Sequence, residues 1–362
     1  MAVVVPRGEV RSRPPSRASG RTPQRTRARR VTGLGLAVLG LAVLCLLSLG
    51  LGARTTDLST TWAALTSFDP TDTEQLVIRE LRVPRTVLGL LVGAALGLAG
   101  TLMQGVTRNP LADPGILGVN AGAALAVVVA ISVFGVTTVL GYVWFAFLGA
   151  GAATVVVYSI AALGREGATP IKLALSGAAV TAALGAVSTS FLLLDQATFE
   201  QFRFWQVGAL AGRDLTVAGS VAPFMVVGSV LALLLGRSLN TLALGDDVAR
   251  GLGAKVVLAR VGAASAAVLL CGAATAACGP VGFVGLTIPH MARMIVGPDQ
   301  RWALPVAMVL GPILLLAADI IGRLIAPPGE IQVGIVTAVI GAPVFIALVF
   351  IALVRRRRLA EL

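Results

Sequence analysis

The chain has 362 residues, of which 56% are hydrophobic and 13% charged, and its mean hydropathy is +0.90. A soluble domain could not cover so much apolar surface, so the composition indicates a polytopic membrane protein. The formal charge of +12 does not indicate a nucleic-acid partner, because basic residues concentrate in positions 1–30 and 355–358, beside apolar runs. The positive-inside rule and anionic membrane lipid account for such clusters.

The first 30 residues are rich in Arg, Pro and Ser, and they predict a disordered cytoplasmic tail. Residues 31–362 contain ten apolar runs of spanning length. These runs fall near residues 33–52, 83–106, 115–134, 138–163, 171–194, 215–236, 256–278, 281–297, 302–325 and 331–354. With both termini in the cytoplasm, most of the 29 Lys and Arg residues lie on the inner side. We therefore expect an all-α polytopic protein of about ten transmembrane helices in the cell membrane.

Two small-residue segments, 92–100 and 271–279, indicate helices whose backbones approach closely. The regions that they open, 93–118 and 272–297, look alike: each has a small-residue helix, a glycine and then a proline-broken polar element. Because one region enters the membrane from outside and the other from inside, they would form an inverted internal repeat, as in many transporters. Chance similarity between two Ala/Gly-rich helices is the alternative.

Prolines interrupt two segments near the membrane boundary. Residues 109–114 read N-P-L-A-D-P, which cannot continue a helix. Irregular backbone is tolerated at this depth only inside protein or beside water, so the segment predicts a gate or pathway wall, with a simple interfacial turn as the alternative. Pro289 is expected to break the eighth run beside His290 and Arg293, with Arg293 extending to the membrane boundary.

The segment 237–260, which we call the coupling element, is a charged island between two apolar blocks and cannot lie in hydrocarbon. Ser238 and Asp246 are expected to cap two short helices separated by Gly245, with a left-handed Gly253 ending the second. A four-residue spacing of apolar side chains gives one stripe, Leu244, Val248 and Leu252. This stripe packs on the membrane portion or is offered to another subunit; a plain connecting loop is the alternative.

Several kinds of chemistry find no support in the sequence. The three cysteines lie in apolar runs and His290 is the single histidine, so neither a disulfide nor a metal site is expected. Neither lysine stands in a phosphate-binding loop, and Asp246-Asp247 lacks the third carboxylate of an intramembrane prenyl transferase. Asp319 and Arg323 have ion-pair spacing, which gives thin support for an ion-coupled secondary transporter.

Several long motifs, in order, resemble the permease subunits of ferric-siderophore, haem and cobalamin ABC importers, the FecCD-type family. They are RVPRTVLGLLVGAALGLAGTLMQGVTRNPLADPGILGVNAGA (82–123), LALGDDVARGLG (242–253), GPVGFVGLTIPHMAR (279–293) and LLLAADIIGRL with PPGEIQVGIVTAVIGAPVFI. The resemblance covers nearly the whole chain after the tail. It implies a type II importer permease that acts as a homodimer or with a paralogue, with the substrate path between the two subunits.

The resemblance also implies partners and sites. Two cytoplasmic subunits would hydrolyse ATP with magnesium, an extracytoplasmic binding protein would deliver the ligand, and the permease itself would bind no cofactor and do no chemistry. The implied ATPase-coupling residues are Leu242, Gly245, Asp246, Val248, Ala249, Arg250, Leu252 and Gly253. The implied cytoplasmic gate is Asn109 with Leu111, and the implied docking residues for the binding protein are Arg82, Arg85 and Arg323. Ferric siderophore is the commonest cargo in that family, and haem or cobalamin would use the same scaffold.

Overall fold

The computed structural model describes residues 23–52, 56–163, 169–327 and 329–360. Every regular element within these residues is a helix, which confirms the predicted all-α class. Most of the predicted tail, residues 1–22, lies outside the described residues. Residues 23–30, which were also predicted to be tail, belong instead to the first helix, because the helix that spans residues 31–50 continues through them without a break.

Fifteen α-helices follow one another along the described residues, and their bounds are α1 Pro23–Gly50, α2 Leu58–Thr66, α3 Thr73–Val77, α4 Val83–Thr107, α5 Val119–Ser132, α6 Val139–Ala161, α7 Pro170–Leu194, α8 Gln196–Gln206, α9 Leu215–Leu234, α10 Gly236–Leu242, α11 Asp246–Gly251, α12 Val256–Cys278, α13 Val284–Val296, α14 Gln300–Ile325 and α15 Val333–Ala360. A π-helical turn, Ile78–Arg82, joins α3 to α4, and a 3-10 turn, Pro114–Leu117, precedes α5.

Each of the ten predicted spans coincides with an apolar helix. Seven helices of the described chain are long and apolar enough to cross a membrane, namely α1, α4, α6, α7, α9, α12 and α14. The remaining three runs correspond to shorter apolar helices, α5, α13 and the first part of α15. Helices α5 and α13 are short for a local reason, because Gly118 and Phe283 take left-handed backbone angles that fix where these two helices begin.

Helix α4 lies at the centre of the molecule and packs against α14, α12, α13 and α9. Small residues make this packing close: a Cβ added at Gly93 would lie 2.5 Å from the Pro312 backbone, and one at Gly311 would overlap the Gly93 carbonyl oxygen. A Cβ at Gly100 would likewise overlap the carbonyl of Gly285. The prediction that small residues let helix backbones approach closely is therefore confirmed.

The predicted break at Pro289 is wrong, because α13 continues through this proline. A proline removes the hydrogen bond to the carbonyl four residues earlier, which here belongs to Gly285. That carbonyl faces the backbone of Gly100, so a close interhelical contact replaces the missing bond. Arg293 does not extend to the boundary either, since it is half-buried and donates from Nη2 to Gln104 Oε1.

Candidate functional site

Three buried arginines come together at one end of the bundle with two carboxylates, and we call this group the arginine cluster. Its members are Arg82, Arg85, Arg323, Asp319 and Glu330. Arg85 Nε donates to both carboxylate oxygens of Asp319 at 2.9 Å, and its Nη2 donates to Oδ1 at 2.7 Å. Arg85 Nη1 pairs with Glu330 at 2.6 Å, and Arg323 Nη2 lies 3.1 Å from Asp319 Oδ2.

The other contacts of the cluster end helix α1. Arg323 Nη1 donates to the carbonyls of Ser48 and Leu51 at 2.9 and 2.8 Å, and its Nη2 donates to Ser48 Oγ at 2.9 Å. Arg82 Nη1 donates to the carbonyls of Leu49 and Gly50 at 2.7 and 2.8 Å. The last carbonyls of a helix have no hydrogen-bond partner within the helix, and they give its C-terminal end a partial negative charge that nearby cations stabilise. Two guanidinium groups therefore cap the C-terminal end of α1.

A depression of about 670 Å³ opens beside the cluster and is lined by its arginines together with Glu74, Glu80, Arg213 and Asp214. Hydrogen bonds from the Thr216 hydroxyl and the Val217 amide hold the pKa of Asp214 below its usual value. The three arginines predicted to dock a binding protein thus lie together at one end, as expected. They are not freely displayed, however, because each is less than 10% exposed and is hydrogen-bonded within the chain.

The coupling element lies at the opposite end and contains α10 and α11. Gly245 and Gly253 have positive φ angles of 104° and 79°, which confirms that they set the turns. The expected caps are wrong, because Ser238 lies inside α10 and Gly245 takes the position before Asp246. Asp246 is instead free to form ion pairs.

The predicted coupling residues divide into an exposed set and a buried set. The apolar stripe is exposed by 60% at Leu244, 52% at Val248 and 66% at Leu252. Leu242 and Ala249 are 1% and 0% exposed, so they do not lie on the contact surface and pack the element onto the body of the protein instead. Helical periodicity explains the difference, because Ala249 follows Val248 by a rotation of about 100°.

An aspartate joins the coupling element to two membrane helices. Asp246 pairs with Arg108, which follows α4, and with Arg260 on α12 at 2.9 Å. Among the described residues, Arg250 forms an ion pair with the neighbouring Asp247 alone, at 3.0 Å on the surface. Asp246 therefore ties α11 to the ends of two long helices.

The predicted gate loop begins at Arg108, whose left-handed φ of 52° ends α4. Asn109 Oδ1 accepts a hydrogen bond from the Leu111 amide at 3.0 Å, which closes a tight turn. Leu111 is 51% exposed, so this apolar side chain is not covered by the chain itself. The irregular backbone predicted for residues 109–114 is confirmed as far as Asp113, whereas Pro114 begins the 3-10 turn. The Arg108–Asp246 pair places this segment next to the coupling element.

Polar contacts across distant helix ends were the features that the sequence did not predict. Asp299 at the start of α14 accepts from Asn240 at 2.7 Å and pairs with Arg30 at 3.4 Å, which fastens α1 and α10 at the coupling end. In the described part of the chain, no group of three or more His, Cys, Asp or Glu comes together that could hold a metal ion.

Comparisons with known proteins agree with this arrangement. The model of the FecCD transport family matches residues 40–351. The chain is 45% identical to the ferric enterobactin transport system permease protein FepD of Escherichia coli (strain K12), over 90% of this chain and 96% of FepD. It is 41% identical to the iron(3+)-hydroxamate import system permease protein FhuB of Bacillus subtilis (strain 168), over 85% of this chain and 81% of FhuB. Permeases for hemin and cobalamin are also among its relatives.

A solved structure of a metal-chelate type ABC transporter in an inward-facing conformation superposes with a TM-score of 0.77 at 28% sequence identity. The superposition covers 89% of this chain and 99% of the solved chain. The likeness therefore extends over most of this chain.

Proposed function

This chain belongs to the FecCD transport family, and from that premise we propose that it is the permease of an ATP-driven importer whose cargo is a ferric siderophore. The observation that carries the proposal is the exposed stripe on the coupling element, beside the gate loop. An exposed apolar surface rimmed by charge is a typical protein docking site. The coupling end would face the cytoplasm, as the basic residues indicate, and two ATPase subunits would cover the stripe there.

ATP and magnesium would be used by those partners alone, because neither Lys172 nor Lys255 stands in a phosphate-binding loop. The ion pairs of Asp246 supply a path for the force of nucleotide binding. A push on α11 would move Arg108 and, one residue later, the Asn109 turn that carries Leu111. Leu111 would then open or close an apolar constriction between two permease subunits.

A second permease copy or a paralogue would pack against α7. Only 11% of the apolar window of this helix is buried within the chain. Thr181, Gly185 and Thr189 are spaced by four residues and are exposed, so they form one small-residue face. Thr189 Oγ1 donates to the Gly185 carbonyl at 2.9 Å, so this hydroxyl is satisfied within its own helix. Such faces let helices pair closely in lipid.

The arginine end would receive the extracytoplasmic binding protein. For Arg82, Arg85 and Arg323 to contact it, carboxylates of the binding protein would have to enter the 670 Å³ depression. There they would compete with the α1 carbonyls, Asp319 and Glu330 for the same donors. Docking would therefore loosen the end of α1 and the α4–α14 contact, and it would signal arrival of the ligand to the helix that leads to the gate.

The names of FepD and FhuB support ferric siderophore as the cargo, and the hemin and cobalamin relatives define the alternatives. The test is uptake into proteoliposomes that contain this permease, its ATPase and its binding protein, with ATP enclosed. A labelled ferric catecholate and a ferric hydroxamate would be compared with haemin and cyanocobalamin. ATP-dependent uptake of a ferric siderophore is expected. Uptake of haemin or cobalamin alone would overturn the assignment of a ferric siderophore as the cargo. Uptake without ATP would overturn the proposal that the transporter is ATP-driven.

A further inference from the structure

A groove runs along the membrane face between α6 and α12. Its cavity of about 490 Å³ is lined by Gly151, Tyr158, Ser159, Val261, Ser265 and Leu269, among others. Both helices are long and apolar enough to cross the membrane, so the groove faces lipid. A Cβ added at Gly151 would meet no atom within 4 Å, which shows that the floor of the groove is open space.

The groove continues to a second cavity at the coupling end. That cavity, of about 420 Å³, shares Val261 with the first and is bounded by Val257, Leu258, Lys255 and Arg250. Val257 and Leu258 are 72% and 65% exposed. An apolar channel along α12 therefore ends at two basic side chains.

The charge at this end is not balanced within the chain. Among the described residues, Lys255 has no ion-pair partner, whereas Arg250 is partly neutralised by Asp247 at 3.0 Å. Lys255 immediately precedes α12 and Ser265 lies ten residues further along, which is about 15 Å at 1.5 Å per residue. This length separates a headgroup from the upper part of its acyl chains.

Three hydroxyl groups line the groove between these two levels. Within the described residues, Tyr158, Ser159 and Ser265 make no side-chain hydrogen bond. Several other hydroxyls in the membrane helices donate to the preceding turn, as Thr154 does to the Ala150 carbonyl and Thr101 to the Gly97 carbonyl. Unused donors facing hydrocarbon are costly, so a ligand with acceptors at this depth would satisfy them.

We propose that the groove binds one anionic phospholipid, with its phosphate at Lys255 and Arg250, its ester oxygens at the Tyr158 and Ser159 hydroxyls and an acyl chain over Ser265 and Gly151. The charge complementarity commits the site to an anionic headgroup, because a zwitterionic headgroup would place a second cation beside Lys255. The proposal depends on the membrane location of the chain and not on its cargo.

The test uses the purified full-length permease, alone and assembled with its ATPase subunits. Each sample is equilibrated with equal amounts of phosphatidylglycerol and phosphatidylcholine of the same acyl chains, and native mass spectrometry counts the lipids retained. Phosphatidylglycerol should be retained in preference. Lys255→Gln should lower its retention about fivefold, since each basic residue near a membrane surface contributes about 1 kcal/mol. Lys172→Gln, at the same end but outside the groove, is the matched control.

Gly151→Leu tests the acyl site separately, because a Cβ at this position meets no atom within 4 Å and the rest of the side chain would occupy the groove. Retention of both lipids should fall, whereas Gly40→Leu on α1, where a Cβ also meets nothing within 4 Å, should leave it unchanged. Equal retention of the two lipids, equal effects of the two lysine variants, or no effect of Gly151→Leu would overturn the proposal. Loss of the lipid on assembly would identify the groove as an ATPase contact, and displacement by inorganic phosphate would identify a plain anion site.

Discussion

Arg323 Nη1 donates to the main-chain carbonyl of Ser48 at 2.9 Å, and through this bond a side chain of α14 caps the C-terminal end of α1. Ser48 returns a second contact, because its Oγ accepts from Arg323 Nη2 at the same distance and lies 2.8 Å from Thr86 Oγ1 on α4. Helix α1 packs along α14, but only 6% of its apolar window is buried within the chain. Polar contacts at its two ends therefore contribute to its position.

Replacing Arg323 with alanine should loosen α1. The change leaves Asp319 with one partner fewer and the carbonyls of Ser48 and Leu51 without a donor, which costs about 3 kcal/mol for a buried site. Cys45, on α1, should then react faster with a membrane-permeant maleimide. Arg323→Lys keeps the charge but loses the planar fork, so an intermediate rate is expected. Wild-type labelling in the alanine variant would show that α1 is held by other contacts.

Removing one carboxylate should cost more than removing the other. The Asp319 side chain is 0% exposed and pairs with Arg85 and Arg323. The Glu330 side chain is 32% exposed and, among the described residues, pairs with Arg85 alone. Asp319→Asn leaves two buried cations without their shared partner and should destabilise the protein by about 3 to 5 kcal/mol, against roughly 1 kcal/mol for Glu330→Gln. Thermal unfolding in detergent measures both variants. Equal shifts would contradict the buried pairing.

The arginine cluster marks a limit of sequence reasoning. The Asp319–Arg323 pair was predictable, because four-residue spacing on a helix brings side chains together. The contacts of Arg82 and Arg323 with the end of α1 were not, since they join residues more than 30 and 270 positions apart. The periodicity of a sequence does not predict contacts between residues so far apart in the chain. The lengths of the ten apolar runs were predictable for the opposite reason, because bilayer thickness sets them.

The close packing of α4 on α14 gives a stability prediction. Gly311→Ala would drive a methyl group into the Gly93 carbonyl oxygen. Neither the new methyl group nor this carbonyl can rotate away, because each is attached directly to the backbone of a helix. Overpacking of this kind costs about 1 to 3 kcal/mol or more. Gly40→Ala on α1 meets nothing within 4 Å and should be tolerated. The yield and the unfolding temperature of the purified variants provide the measurement, and an unaffected Gly311→Ala protein would contradict the observed helix approach.

Two adjacent residues of the coupling element should respond differently to the same change. Val248 is exposed and Ala249 is fully buried, so Val248→Glu should fold normally and lose ATPase association about tenfold or more. Ala249→Glu would bury an unpaired charge in the chain itself, and little folded protein is expected. Copurification of the ATPase, normalised to the folded permease, distinguishes the two effects. Normal association in Val248→Glu would exclude the stripe as the docking surface.

Sequence periodicity predicted the stripe of Leu244, Val248 and Leu252, whereas the family resemblance added Ala249 to the coupling surface although this side chain is buried. Alanine is compatible with either side of a short helix, so its burial depends on the body against which α11 rests. Asp246 illustrates the same limit. Its position at the start of a helix predicted a cap, but in the structure its carboxylate forms ion pairs with Arg108 and Arg260. Tertiary charge partners thus override the local preference.

The gate hypothesis concerns Leu111, whose side chain is 51% exposed in a single subunit. If two copies of this residue meet across the subunit boundary, a cysteine at position 111 should change its reactivity when nucleotide binds to the ATPase. The experiment replaces Cys45, Cys271 and Cys278 and labels the assembled transporter with a charged thiol reagent from the coupling end. Labelling should differ severalfold between the ATP-bound and nucleotide-free states.

The control for that experiment is a cysteine at Leu163, which is 71% exposed at the same end and lies beyond α6. Its labelling should be the same in all nucleotide states, because it is not joined to the coupling element. Asn109→Ala removes the acceptor for the Leu111 amide, so the turn should lose its shape and the nucleotide dependence at position 111 should weaken. Constant labelling at position 111, with full reagent access at position 163, would leave residues 109–111 as an interfacial turn.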